Sequence, residues 1–136
     1  MKGSLQELAA FRSKRSKESL DEADILAKSD HWNACINRLY YACFYGVSAL
    51  LILDNLSSSR HTGIRSLFNR NYIKTKKIPN QIASIYNDLF ERRQESDYLD
   101  FMEFNESQVI PLFPRVEKFL ENLDKLICEK TKDKDE

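Results

Sequence analysis

The stretch WNACINRLYYACFYGVSALLIL, Trp32–Leu53, decides how the rest of the chain is read. It is the longest apolar run in the sequence, and one charged residue, Arg38, interrupts it. It holds no proline and a single glycine. A helix apolar on almost all sides is the buried centre of a domain. Its 22 residues come close to the length that crosses a bilayer. Arg38, Asn33, Asn37 and the tyrosines Tyr40, Tyr41 and Tyr45 argue against a span, because each polar group costs free energy in lipid. The expectation is the core helix of a soluble all-α domain, with no membrane partner. The question it raises is why an arginine sits in its middle.

The 136 residues amount to one domain, long enough to bury a core without staples. Three glycines and three prolines leave few breaks for the turns of an all-β fold. Lys plus Arg and Asp plus Glu are both 21, so the net charge carries no nucleic-acid signal. Cys35, Cys43 and Cys128 are odd in number and lack a C-x-x-C pattern, which speaks against disulfides or zinc. No secretory run opens the chain, and a reducing cytoplasm is the expected compartment.

Outward from the core helix, Ser4 is a candidate cap for a first helix with apolar Leu5, Leu8, Ala9, Leu20, Ala23, Ile25 and Leu26. Its middle, residues 12–18, is charged and reads as solvated. Ser29-Asp30 ends it, and Asp30 is expected to cap the core helix. A short third helix covers residues 61–71 with Ile64, Leu67 and Phe68 inward, and residues 72–80 read as a loop. Asn80 is the expected cap of a fourth helix with the stripe Ile82, Ile85, Tyr86 and Leu89, which continues to Arg92 and Ser96. The segment LDFMEF reads as irregular or frayed. Asn105 and Gln108 fit a capping box before a last helix running to about residue 129. The domain is thus expected over residues 1–128, with a charged, disordered tail over 129–136.

From residue 55 to residue 87 there is no acidic side chain, while Arg60, Arg65, Arg70, Lys74, Lys76 and Lys77 are present. Such a stretch could meet phosphates, or it could be an ordinary solvated surface. Arg38 must reach a carboxylate such as Asp97, pack on aromatic neighbours or line a cleft. Arg92 is placed on an inward line, whereas Arg93 and Asp97, four apart, could pair on the surface. Arginines beside Tyr41, Tyr45 and Tyr98 resemble an anion or nucleotide pocket. His61 is a candidate acid or base, and His31 is given no role. No metal constellation, Gly-rich phosphate loop or G-x-S-x-G is present, and no cofactor is expected.

Four motifs in order carry a family resemblance: Asn37-Arg38-Leu39-Tyr40-Tyr41-Ala42-Cys43-Phe44, then Ala49-Leu50-Leu51, then His61-Thr62-Gly63, then Arg92 with Asp97-Tyr98. Together they resemble the HEPN superfamily, in particular its small stand-alone members with N-R-x-Y-Y-A and R-x4-D-Y motifs. The resemblance spans residues 4–127. It implies an antiparallel bundle of four to five helices, commonly dimeric, often acting as the toxin beside an MNT-type nucleotidyltransferase antitoxin.

Many such proteins are metal-independent ribonucleases with an R-x4-6-H motif, in which the arginine stabilises phosphate and the histidine assists proton transfer from the 2′-hydroxyl. Here the histidine is missing after Arg92, and Asp97 stands in the stretch where it is expected. An aspartate is ordinarily ionised at neutral pH and makes a poor replacement acid. The expectation is therefore RNA or nucleotide binding through Arg38, Tyr41, Asp97 and Tyr98. If the chain is an enzyme, Arg92 and His61 are the catalytic candidates. Tyr98 is also a candidate for adenylylation by the partner. The alternative is a non-catalytic dimeric interaction module with structural arginines.

Overall fold

The computed structural model describes residues 2–135, so the first and last residues of the expected domain and tail, Met1 and Glu136, lie outside it. Six α-helices follow one another: α1 (Lys2–Lys28), α2 (Trp32–Leu53), α3 (His61–Phe68), α4 (Asn80–Tyr98), the single turn α5 (Glu106–Val109) and α6 (Leu112–Asp135). There is no strand among the described residues. The fold is an all-α bundle.

The apolar α2 is its axis. Every other α-helix touches it, and its C-terminal part, Gly46 through Leu53, is buried without interruption. Length and composition alone would let this helix cross a membrane, but its surface is spent on its neighbours. Three contacts give the direction of α1 against it: Glu22 with Arg38, Ser16 with Ala42 and Arg12 with Ser48. Numbers rise along one helix as they fall along the other, so the two are antiparallel. Small residues let them approach. Ser16 and Ser19, inside the stretch of α1 with the most charge, are both buried, and the Ser16 hydroxyl donates to the Ala42 carbonyl at 2.6 Å.

The remaining core comes from α3, α4 and α6. Ile64 and Phe68, then Ile85, Tyr86 and Leu89, then Val116, Phe119 and Leu123 close on α2 as one cluster. Each such aromatic or aliphatic side chain contributes about 1.5–3 kcal/mol by leaving water. The Cys35 thiol lies inside this cluster, where burial pushes its pKa up to about 12, and it donates to the Ala23 carbonyl. It packs as a small core residue.

Local details depart from expectation where caps are concerned. His31, not Asp30, holds the cap position of α2, with no side-chain bond. Asp30 instead takes a left-handed φ of 61°, which turns the chain between α1 and α2. Pro79, not Asn80, precedes α4. Ser4 lies inside α1. The Asn105–Gln108 capping box is present with both of its hydrogen bonds. Beyond Phe68 the helix continues as a π turn, Asn69–Ile73, where a loop was expected to begin at Tyr72. That wider turn keeps Tyr72 buried and stacked 5.8 Å from Phe68, with its hydroxyl on Asp54. The last helix extends through Asp135.

Candidate functional site

The middle of α2 carries Asn37, Arg38, Tyr40, Tyr41 and Phe44, and both α3 and α4 pack against this helix. Tyr40 is completely buried, and Tyr41 is half-buried. Onto this aromatic pair come two groups from distant parts of the chain. From α4, the Arg93 guanidinium lies 4.6 Å from the Tyr40 ring centre and 5.9 Å from that of Tyr41. From the first turn of α3, His61 stacks on Phe44 at 4.3 Å and meets the edge of Tyr41 at 5.7 Å. Its Nδ1 is 2.8 Å from the Tyr40 hydroxyl.

Arg93 is the inward arginine of α4. Its side chain is 14% exposed, and its Nε is buried without a hydrogen-bond partner. Asp97, one turn on, approaches a terminal nitrogen at 3.5 Å. The expected Arg93–Asp97 pair is thus present, but Arg93 rather than Arg92 is the arginine of α4 that reaches the tyrosines of α2. The stripe through Tyr86 and Leu89 steps by seven and by four to residue 93, and the step of three from Leu89 to Arg92 leads off it. Arg92 is half-buried in a separate cleft with Asp88, Glu91, Glu95 and Phe104.

Arg38 answers the question posed by the core helix. Its guanidinium sits 4.8 Å over Tyr41, with Glu22 of α1 at 3.3 Å and the Asn37 side-chain oxygen at 2.9 Å. It also lines a cleft of about 340 Å³ with Asn37, Ser96 and Asp97. The expected acid, Asp97, shares that cleft, but the ion pair goes to Glu22. Tyr41 therefore has Arg38 over its ring and Arg93 and His61 close by. Tyr98 ends α4 and is 78% exposed.

Electrostatics follow from this packing. Burial lowers the His61 pKa below its ordinary value, and the positive charge of Arg93 lowers it further. At neutral pH the imidazole is therefore uncharged. Two guanidinium groups, each with a carboxylate partner, and an imidazole thus surround one half-buried tyrosine ring. The signal that would have found Arg93 is the heptad step from Tyr86. No signal in the sequence reveals the bond between His61 and Tyr40, which closes over 21 residues.

Residues 9–126 match the profile of the HEPN domain. The chain belongs to the HEPN family. Among its relatives, a Thermotoga maritima protein named "UPF0332 protein" is 38% identical over 122 residues, covering 90% of this chain and 92% of its own. A Methanocaldococcus jannaschii protein named "Putative toxin MJ0142" is 26% identical over 116 residues, covering 85% of this chain and 79% of its own. A second protein of that organism, "Putative toxin MJ0605", is 28% identical over 83 residues, covering 61% and 62%. The HEPN match includes Arg38, His61, Arg93 and Asp97 within its bounds.

Proposed function

We propose that this HEPN protein binds the phosphate of RNA or of a nucleotide with Arg93 and Arg38 around Tyr41, and acts as a metal-independent endoribonuclease. One observation carries the reading: His61 and Arg93, 32 residues apart, meet on the Tyr40–Tyr41 pair. Arg93 would neutralise charge developing on the phosphate. His61 would supply the imidazole that the usual motif lacks. The toxin names of two relatives support a toxin-like role. In that role the protein is a cytoplasmic homodimer paired with a nucleotidyltransferase. Exposed Tyr98 is its modification site. A nucleotidyl group there would add negative charge beside Asp97 and oppose phosphate entry.

A second reading has its own support. Arg38 and Arg93 each already hold a carboxylate, Glu22 and Asp97. In a non-catalytic dimeric interaction module these pairs would be structural.

A ribonuclease assay in EDTA on a mixed RNA pool separates the two, with thermal melts of every variant beside it. The expected result is cleavage by the parent that is lost in Arg93→Ala and His61→Ala and kept in Arg92→Ala. No cleavage by the parent, with equal RNA affinity in the parent, Arg38→Ala and Arg93→Ala, would establish the module instead.

A further inference from the structure

The loop after α4 holds one side chain in an unfavourable place. Phe101 is completely exposed, and its φ of 64° lies in the left-handed region that a Cβ disfavours. The loop is nevertheless fixed at its base. The Asn33 amide donates to the Met102 carbonyl at 2.9 Å, and the Phe104 N–H donates to the Asn33 side-chain oxygen at 2.8 Å. On either side of Phe101, Asp100 and Glu103 are exposed acids with no ion pair among the described residues.

A cavity of complementary character lies at the other end of α4. Pro79 and Ile82 at the start of α4 and Pro114 of α6 give it apolar walls, and Arg115 and Lys118 complete a space of about 470 Å³. No acid stands in the first turn of α4, and exposed Lys118 has no ion pair among the described residues. Arg115 is held by Asp88 at 2.9 Å. Asp88 in turn lines the cleft of Glu91, Arg92 and Glu95, which Met102 and Phe104 of the loop also line. One side of α4 thus runs from a basic, apolar end to an acidic, aromatic end, with the Asp88–Arg115 bridge between them.

A single chain does not bring these ends together, because the 19 residues of α4 hold them about 28 Å apart. Two chains do. With α4 of one copy antiparallel to α4 of the other, each basic end faces an acidic end, and both contacts form at once. That arrangement has two-fold symmetry and closes on itself.

We propose that this side of α4 is the face on which two copies of the chain associate, each seating Phe101 in the cavity of Pro79, Ile82 and Pro114 on the other. Asp100 and Glu103 meet Lys118 across the interface. The Asp88–Arg115 bridge, near the midpoint of the helix, lies by the two-fold axis. An aromatic anchor on a loop already fixed in the monomer needs little further ordering on association. A nucleic acid suits this side poorly, because the acidic end repels phosphate. The proposal rests on the homodimer of the reading above and on nothing in its ribonuclease chemistry.

The test is the mass of the full chain by light scattering across a concentration series, with a thermal melt of each variant. The parent is expected as a dimer. Phe101→Ser should weaken it by about tenfold or more in Kd. Lys118→Glu should weaken it as well, and adding Asp100→Lys and Glu103→Lys to that variant should restore it. Phe11 is 59% exposed on α1, and Phe11→Ser should leave the dimer unchanged. A parent dimer indifferent to Phe101→Ser overturns this interface and leaves the homodimer standing. Failure of the exchanged charges to restore association overturns the pairing of Lys118 with the loop acids. A parent that is monomeric at every concentration overturns both interface and homodimer. An assembly that keeps growing with concentration is an open chain of copies and overturns the two-fold arrangement. Cleavage is read separately, by the assay in EDTA.

Discussion

Arg93 acts on His61 without touching it by a hydrogen bond, and the coupling can be measured. Removing its charge leaves burial as the main cause of the lowered imidazole pKa. In Arg93→Ala the His61 titration should therefore move up toward the ordinary histidine value of about 6.5, as read by NMR. An unchanged titration would mean that burial acts alone. The same shift has a sign for stability. A folded-state pKa below the unfolded one means that the unfolded chain binds the proton first as pH falls. The contribution is whole above the ordinary value and is lost as pH drops through the lowered one. His61→Gln should flatten part of the decline in Tm between neutral and mildly acidic pH. Glu22 and Arg38 offer a contrast. Their side chains are 46% and 25% exposed, so Glu22→Ala should cost no more than about 1 kcal/mol in a denaturant titration.

Individual helices were legible in the sequence to different degrees. The core helix and the inward stripe of α4 from Ile82 to Leu89 were readable because apolar spacing is a direct record of burial. Caps were less so. His31 and Pro79 hold cap positions with no side-chain bond, so residue preference had nothing to report there. The π turn was invisible, since its Tyr72 is tied by a distant hydrogen bond to Asp54, just past the end of α2. Arg93 was misplaced by the choice between a three-residue and a four-residue step on α4. Glycines test the packing of these elements. A Cβ on Gly46 would stand 2.9 Å from a Leu123 methyl and 3.3 Å from one of Leu120, so Gly46→Leu should overpack α2 against α6. The expected loss is about 1–3 kcal/mol, read by chemical denaturation. At Gly63 a Cβ would meet the Ser58 hydroxyl and Cβ. Ser58 accepts from the Arg60 backbone N–H just before α3, so Gly63→Ala should disturb the turn that carries His61 and shift its NMR signals.

For the molecule as a whole, zero net charge conceals two sets of cations that the proposed RNA binding would use differently. The proposed binding through Arg38 and Arg93 would neutralise about two phosphates, for which the logarithm of RNA affinity should fall with log salt at a slope of roughly −1.4. Recruitment of the six cations between Arg60 and Lys77 as well would steepen it to roughly −5.6. A salt series of RNA titrations distinguishes these values. The shallow slope is expected, because Arg65 already lies 3.9 Å over Phe90 and Lys77 lies over Tyr72. The clustering of chemistry at the meeting of three helices was beyond reach of the sequence, for it depends on the order in which α3 and α4 pack against α2.

The bond from Ser16 to the Ala42 carbonyl works as a detent between two sliding rods. Helices that approach through small residues offer little corrugation to stop a slip along their axes. A displacement of one turn moves α1 by about 5.4 Å, which would strand the serine hydroxyl in an apolar seam and carry Glu22 away from Arg38. The alignment of the charged end of the hairpin is thus set by a hydroxyl more than a turn and a half away from it. Ser16→Ala should loosen that alignment, and the rotameric freedom of Arg38 would be its first visible sign.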